Sequence, residues 1–440
     1  SQKWKPTIGL EIHAKILTNS KMFSAASTNF VEPVNSCVSF FDCATPGTLP
    51  VLNRKCVEAG VITALALSCT LNEISFFERK HYFYADLPAG YQITQSKQPL
   101  AVNGELCFPV FNSAFHKQPY KKVSKIKQIQ LEQDSGRSLH NEFTERNLVD
   151  LNRAGVPLME LVFEPDLSDG EEAVCAVKEL MNILKVLGIC SCKMEEGAFR
   201  IDANVSVSRD SSNLGVRTEL KNIGTVRGIA NAIKYEIKRQ ISILEKGQPV
   251  INETRAWDAI NKKTVPLREK EEKQDYRFMP ETDLLPLRIC LEGTNNKYNL
   301  VDVATLRGQL PQLPNDTRIW LKETYDLNQH LIFQLSSDIE LLQLFKDIMK
   351  ADRNLNPGIV ASFLAQEIVK ENNWKLINDE TELEMICIRI IEDNPATVKK
   401  YKKNGKQNLF TTLLKKISAD TDERANIYKV IPILTRLLKS

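Results

Sequence analysis

Glutamate and histidine alternate with aliphatic residues near the start of this sequence, in Ile8-Gly9-Leu10-Glu11-Ile12-His13. Residues two apart on a β-strand point to the same face of a sheet. If this segment is a strand, Glu11 and His13 therefore share one face and the aliphatic side chains share the other. Carboxylate oxygens together with one imidazole are a ligand set that suits Mg²⁺ or Mn²⁺.

Three later segments show the same alternation and add charged residues to polar strand faces. In the first of them Glu132 and Asp134 share a face, and in the second Asp202 lies on the polar face. In the third, Glu219 and Lys221 lie on one side. The polar face of one sheet would then gather a histidine and several carboxylates. Ordinary solvated strand faces produce the same pattern for each pair taken singly, so that interpretation stays open.

Glu160 differs from these residues because its neighbours are apolar. It lies between Met159 and Leu161 in the segment Val156 to Val162. A carboxylate is costly to bury without a partner. We therefore weigh a ligand or partner role for Glu160 equally against an ordinary polar position on a strand face.

The segment from Arg79 to Gln92 is dense in cations, aromatic residues and turn residues. Adjacent cations such as Arg79 and Lys80 can hold phosphates, and tyrosines such as Tyr82 can stack on a base. A packed surface turn would have the same composition. The sequence contains neither a Walker motif nor a GxGxxG motif, so a nucleotide site here would be of another type.

The elements that must position these residues change in character along the chain. Up to about residue 285 the sequence predicts short alternating strands, with helices near 52–67, 170–187 and 228–245. From about residue 290 amphipathic helices dominate. Ser337 is predicted to open one of them with a capping box, and Leu344 is predicted to lie in its apolar stripe. Pro432 is predicted to kink the last helix or to begin it.

The composition is that of a multidomain globular protein. The 440 residues are 42% hydrophobic and 26% charged, which excludes disordered and fibrous classes. The longest apolar stretch, about residues 57–69, is too short to cross a bilayer. The ten cysteines show no regular framework, which indicates reduced thiols. Because the sequence begins at Ser1 rather than Met, we expect that an upstream segment such as a transit peptide was removed.

The overall charge does not indicate nucleic-acid binding, because the formal net charge is only +3. The region after residue 398 is nevertheless locally basic. Its cations are Lys399, Lys400, Lys402, Lys403, Lys406, Lys415, Lys416, Arg424, Lys429, Arg436 and Lys439. A basic helical module can bind RNA phosphates, and a solvated helix face is the alternative.

Taken together, these segments resemble the B-subunit family of the tRNA-dependent amidotransferases. The resemblance covers about residues 6–286 and is looser beyond them. It is carried, besides Ile8 to His13, by Pro46 to Asn53, Lys80 to Gln95, Leu131 to Arg137, Leu148 to Leu167, Met194 to Val207, Arg217 to Asn222 and Asp275 to Glu281.

The resemblance implies an α+β fold in three parts. Residues 1–288 would form a cradle of mainly antiparallel β-sheet with flanking helices, which carries the kinase and transamidase activity. Residues 289–374 would form a helical domain, and residues 375–440 a basic helical tail domain that binds tRNA. The junction near Lys370 to Lys375 is predicted to be trimmed or disordered.

The resemblance also implies an activity that exists only within a complex. With ATP and Mg²⁺, the subunit would phosphorylate the γ-carboxylate of glutamate on misacylated Glu-tRNA(Gln). Ammonia from a separate glutaminase (A) subunit would then convert it to Gln-tRNA(Gln). A small third subunit, either a fungal-specific F subunit or a C-type subunit, would complete the heterotrimer. The alternative is a tRNA-binding scaffold whose catalytic site has decayed.

Site residues follow from the resemblance position by position. The predicted catalytic residues are Glu11, His13, Glu132 and Asp202. These four are also predicted Mg²⁺ ligands, and Glu160 completes the ligand set. The full metal set is Glu11, His13, Glu132, Glu160 and Asp202. The predicted nucleotide-binding residues are Lys80, Tyr82, Tyr84, Asp86, Glu219 and Lys221.

Some positions depart from the family pattern. The family often has two zinc-type cysteine pairs. Here Ser24 begins the segment that replaces the first pair, and in the second pair Cys37 is present but Cys43 is displaced from the expected position, so we predict no structural zinc. The family has two adjacent acids at this point, and here the second of them is Gln133, which follows Glu132. These departures and the Lys- and Asn-rich texture predict a fungal mitochondrial member that works in the matrix.

Overall fold

The fold is taken from a computed structural model. It describes residues 4–111, 119–141, 146–209, 214–269, 275–352, 354–371, 379–395, 398–399, 407–421 and 427–439. They fall into two compact units, residues 1–319 and 320–440. The predicted division at 288 and 374 stays a prediction, and much of the predicted junction near Lys370 to Lys375 lies outside the described residues.

The first unit contains β1 to β17, which range from two to fourteen residues in length. Their bounds are β1 Lys5–Lys15, β2 Thr70–Leu71, β3 Ile74–Ser75, β4 Glu78–His81, β5 Tyr91–Thr94, β6 Ala101–Val110, β7 Tyr120–Gln133, β8 Arg137–Asn141, β9 Arg146–Asp150, β10 Pro157–Phe163, β11 Phe199–Ser208, β12 Thr218–Lys221, β13 Glu253–Asp258, β14 Lys263–Glu269, β15 Met279–Pro280, β16 Leu287–Cys290 and β17 Val301–Asp302.

The helices are short and increase in number toward the C-terminus. Their bounds are α1 Arg54–Ala66, α2 Gly170–Val186, α3 Val226–Glu245, α4 Val303–Gly308, α5 Pro314–Tyr325, α6 Gln329–Ser336, α7 Ile339–Ala351, α8 Pro357–Glu371, α9 Glu380–Glu392, α10 Gln407–Asp420 and α11 Ile427–Lys439. Strands followed by helices in this order confirm the predicted α+β class.

A large mixed sheet organises the first unit. Within the described part of the chain, its nine strands lie in the order β14-β13-β12-β11-β1-β10-β7-β6-β2. Neighbouring strands run antiparallel except for β12 and β13, which are parallel. The central strand β1 therefore pairs with β10 on one side and with β11 on the other. The predicted antiparallel character of this region is confirmed.

The two faces of this sheet have opposite character. Ile8, Leu10 and Ile12 of β1 are fully buried, and they belong to one core cluster with side chains of α1, α2 and α3. Alternate residues of the same strand, Glu11 and His13, point to the other face and are only partly covered. The helices thus cover the apolar face and leave the polar face available for a site.

The second unit is helical, and two details of its helices differ from the sequence prediction. Asp338 caps α7, because its side chain accepts a hydrogen bond from the Leu341 backbone N–H, whereas Ser337 ends the preceding helix. Leu344, predicted to lie in the apolar stripe of α7, is 48% exposed. Helix α11 begins at Ile427 and continues through Pro432.

Separate hydrophobic clusters lie within the second unit. Residues of α5, α6, α7 and α8 form one cluster, and residues of α9, α10 and α11 form another. Within the described residues, the chain has no helix long and apolar enough to cross a membrane.

Candidate active site

Three of the predicted metal ligands converge on the polar face of the large sheet. His13 of β1 lies opposite Glu160 of β10, and Glu132 of β7 lies opposite Leu158, two residues along the same strand. The Nε2 atom of His13 is 3.5 Å from a carboxylate oxygen of Glu132 and 3.8 Å from one of Glu160. Possible ligand atoms of the three residues all lie within 4.8 Å of one another.

The protein buries these three side chains, and burial sets their protonation. The side chains of His13, Glu132 and Glu160 are 21%, 3% and 13% exposed. Burial, helped by the positive charges of Arg200, Lys221 and Lys80, lowers the pKa of His13 to about 3. The imidazole is therefore neutral at physiological pH, which is the form that can coordinate a cation.

The two glutamates are held close together at a cost. Burial raises the pKa of Glu132. Burial, followed by repulsion from Glu132 and Glu11, raises the pKa of Glu160 well above its ordinary value. Two carboxylates in one buried pocket favour their neutral forms unless a positive charge joins them. A divalent cation would supply that charge.

Neighbouring hydroxyl and amide groups orient both carboxylates. The Thr94 hydroxyl donates a hydrogen bond to Glu132 over 3.0 Å, and the Gln130 amide donates one to Glu160. These contacts leave oxygen atoms that face His13 at the distances given above. The chemistry of the donor set, one neutral imidazole and two carboxylates, fits a hard divalent cation of the Mg²⁺ or Mn²⁺ type.

Glu11 and Asp202 lie on the same polar face but outside the three-residue cluster. They are directly opposite each other in the β1–β11 register. Asp202 accepts a hydrogen bond from the Lys221 ammonium over 2.6 Å, and Glu11 accepts one from the Asn204 amide over 2.9 Å. Their part in the ligand set therefore stays a prediction.

A cavity of about 500 Å³ opens next to the cluster. Its lining includes His13, Glu132, Asp202, Lys80, Tyr82, Gln92, Asp134, Arg200 and Lys221. Strands β4, β5, β7, β11 and β12 thus contribute to one space, in which three cations and several carboxylates meet. Because cationic and carboxylate side chains both line it, the cavity can accept an anion that carries a metal ion.

The predicted nucleotide-binding residues divide into two groups. Lys80 and Lys221 line the cavity, and the Lys80 ammonium lies 4.6 Å from the centre of the Tyr276 ring. Lys221 pairs with Glu219 over 3.3 Å as well as with Asp202.

Of the two predicted tyrosines, one reaches the cavity and the other does not. Tyr82 lines it, and its hydroxyl donates a hydrogen bond to Gln92 over 3.3 Å. Tyr84 contacts Tyr82 edge to face and is 57% exposed. The Asp86 carboxylate accepts a hydrogen bond from Ser138 over 3.2 Å. Neither Tyr84 nor Asp86 belongs to the cavity lining.

Sequence reasoning placed Asp134 on a polar strand face without assigning it a role, and it assigned none to Arg200, which shares the polar face of its strand with Asp202. In the structure the Arg200 guanidinium donates a hydrogen bond to Asp134 over 3.0 Å, and both residues line the cavity. Thr94 and Gln92 were also missed. The alternation of polar residues in Tyr91 to Thr94 was the available signal, but it does not reveal that β5 lies beside β7.

The fold and the candidate site define a class of protein: an α+β protein in which one histidine and two glutamates cluster on the polar face of a mainly antiparallel sheet. Comparison with known families gives the particular family. Residues 6–294 match the model described as the GatB/GatE catalytic domain, and residues 341–438 match the one described as the GatB domain. The chain therefore belongs to the GatB family of tRNA-dependent amidotransferase subunits.

Individual relatives agree with this membership along nearly the whole chain. The B subunit of the mitochondrial glutamyl-tRNA(Gln) amidotransferase of Aedes aegypti is 46% identical over 99% of this chain and 94% of its own length. The human protein of that name is 41% identical over 99% of this chain and 89% of its own length. The B subunit of the aspartyl/glutamyl-tRNA(Asn/Gln) amidotransferase of Rickettsia rickettsii is 35% identical over 100% of this chain and 98% of its own length.

Proposed function

We propose that this chain is the subunit that activates the γ-carboxylate of glutamate on Glu-tRNA(Gln), with ATP as phosphoryl donor, and that it works in mitochondria. The observation that carries the proposal is the meeting of His13, Glu132 and Glu160 beside a cavity lined by three cations. A phosphoryl-transfer site needs these two features, because it must hold both a divalent cation and a polyanion.

The residues of the chain have separate tasks in this proposal. Neutral His13 and the two glutamates hold the cation, which when bound offsets the charge of the transferring phosphoryl group. Lys80 and Lys221 attract the triphosphate into the cavity. Thr94 and Gln130 keep the glutamates in place. Because all four strands that carry these ligands and their supports belong to one rigid sheet or pack on it, little reorganisation is needed.

Phosphorylation is needed because a carboxylate is a poor electrophile. Once one of its oxygens carries a phosphoryl group, that oxygen can leave as phosphate and ammonia can take its place. We propose that the ammonia comes from a glutaminase (A) subunit, since the relatives are named as B subunits. A small third subunit, location in the matrix and tRNA binding by the basic tail domain belong to the same proposal.

The direct test is amide formation by the complete complex. With Glu-tRNA(Gln), glutamine and ATP, we expect Glu132→Gln to lower amide formation by at least 100-fold, because one cation ligand becomes neutral. Glutamine hydrolysis by the partner subunit is the internal control and should persist. Equal amide formation by the variant and the wild type would refute the assignment of Glu132.

The same experiment separates this function from a tRNA-binding scaffold. A scaffold would bind tRNA while the wild-type complex neither hydrolysed ATP nor formed the amide. The absence of structural zinc also stays a prediction. In the structure Ser24 donates a hydrogen bond to Asp42, and Cys43 contacts Thr45, so neither is committed to a cysteine cluster. Metal analysis of the purified chain should find no stoichiometric zinc.

A further inference from the structure

Arg200 uses only part of its hydrogen-bonding capacity. Its Nη2 atom donates to Asp134 over 3.0 Å. Its Nε atom is buried and has no hydrogen-bond partner. Among the residues that the structure describes, Nη1 also has none. The unpaired Nε is unusual, since buried donors are nearly always paired, whereas Nη1 belongs to the exposed part of the side chain.

The position of Arg200 places these donors next to the candidate metal cluster. Arg200 lies directly opposite His13 in the β1–β11 register, and its side chain lines the cavity of about 500 Å³. The other two cations of the cavity are engaged differently. Lys221 keeps its charge but forms ion pairs with Asp202 and Glu219, and the Lys80 ammonium lies over the Tyr276 ring. Arg200 therefore keeps its Nη1 donors for a ligand, and a planar guanidinium suits a phosphate better than an ammonium does.

Asp134 fixes the orientation of the Arg200 guanidinium. Its carboxylate is almost fully buried, one oxygen accepts from Arg200, and the other lies 3.6 Å from Nε of Arg153. Arg153 is itself held by the backbone carbonyls of Ser135 and Gly136. The Arg200 guanidinium is thus attached through Nη2 to a carboxylate that Arg153 also contacts, and its Nη1 donors remain for a ligand.

We propose that Arg200 binds the terminal phosphoryl group of the nucleoside triphosphate and that Asp134 is the positioning residue that aims it. This inference rests on the proposed function. In the transfer step the bond between the terminal phosphorus and its bridging oxygen breaks, and the electron pair leaves with the diphosphate. A glutamate carboxylate oxygen forms the new bond to phosphorus. No proton is transferred, and Arg200 stays positively charged while the phosphoryl group moves from the diphosphate to the carboxylate.

Binding of two nucleotides that differ by one phosphoryl group tests this role. The probes are ADP and the non-hydrolysable imido analogue of ATP, each titrated with Mg²⁺ into the full complex by calorimetry. We expect Arg200→Gln to weaken binding of the imidotriphosphate by about 10- to 100-fold, as for loss of a charged hydrogen bond, and to leave ADP affinity unchanged. Arg200→Lys should lose less, and Asp134→Asn should reduce the same preference.

The matched control is Arg137→Gln, which removes an arginine that pairs with Asp150 and does not line this cavity. It should bind both nucleotides as the wild type does. If Arg200→Gln and Arg200→Lys keep the wild-type preference for the triphosphate, or lose both nucleotides equally, the inference is overturned while the proposed function stands. If the wild-type complex binds neither nucleotide, the proposed function fails with it.

Discussion

At the scale of single residues, the site is built from groups that are unfavourable to bury together. Glu132 and Glu160 repel each other, and burial favours the neutral form of each. Neutral His13 cannot compensate their charge. Functional sites commonly keep such unfavourable arrangements because a ligand later relieves them. The arrangement is thus typical of a cation site rather than of a structural ion pair.

Replacement of Glu160 by glutamine should therefore separate stability from function. With metal removed by EDTA, we expect Glu160→Gln to raise the free energy of unfolding by about 0.5–2 kcal/mol, because one buried charge is lost and Gln130 keeps an acceptor. The same variant should bind Mg²⁺ more weakly. Urea denaturation with and without Mg²⁺ measures both effects.

Glu196→Gln is the control for this comparison, because Glu196 pairs with Lys193 on the surface. It should change the free energy of unfolding by less than about 0.5 kcal/mol in either condition. A Glu160→Gln variant that is less stable than the wild type in EDTA would show that Glu160 stabilises the fold by pairing, and the ligand role would lose its support.

At the scale of secondary-structure elements, the strand alternation predicted much of the site. Period-two patterns located β1 and β11 and separated their polar from their apolar residues, because a strand with one buried face must alternate. The pattern could not tell which strands are neighbours. That Thr94 of β5 would support Glu132 of β7 depends on long-range pairing, which no local pattern encodes.

Side-chain partners within one face were also beyond the sequence. Asp202, which the family resemblance gave as a metal ligand, lies on the polar face, and the structure pairs it with Lys221 on the neighbouring strand. Both residues follow the polar–apolar alternation of their strands, which does not reveal that they pair. Which charged residue is left for a ligand depends on distances of a few ångströms between strands, and those distances follow from the register.

The helices on the apolar face must pack closely for the sheet to hold its register. Gly170, the first residue of α2, approaches α3 so closely that a Cβ atom there would lie 2.8 Å from the Ala230 backbone. We expect Gly170→Ala to lower the free energy of unfolding by about 1–3 kcal/mol, because two helices must move apart.

Thermal or chemical denaturation measures this effect against Gly308→Ala. Gly308 ends α4, and among the described atoms none would lie within 4 Å of an added Cβ. That control should be neutral or slightly stabilising, since alanine restricts the unfolded chain more than glycine does. Equal stability of the two variants would mean that the α2–α3 contact is not tight.

At the scale of the whole molecule, the candidate chemistry is confined to the first unit. Every residue of the cluster and of the cavity lining lies before residue 320. The basic tail domain is only partly described, since Lys400, Lys402, Lys403 and Lys406 lie outside the described residues. Arg436, another of its cations, pairs with Glu384 over 2.8 Å.

Truncation of the chain after residue 379 should separate tRNA binding from metal binding. We expect the tRNA affinity of the complex to fall by at least tenfold, because phosphate contacts from the basic region are lost. Mn²⁺ affinity should not change. Filter binding and Mn²⁺ titration measure the two quantities, and an unchanged tRNA affinity would remove the tail domain from the proposed tRNA surface.

The most direct test of the site is spectroscopy of Mn²⁺ bound to the full chain. Electron spin-echo experiments detect a nitrogen that is coordinated to the ion. We predict the signal of one imidazole nitrogen in the wild type and in His81→Asn, since His81 contacts the Arg277 carbonyl outside the cluster. The signal should vanish in His13→Asn. Bound Mn²⁺ without a nitrogen signal, or a signal that survives loss of His13, would contradict a metal centre at His13, Glu132 and Glu160.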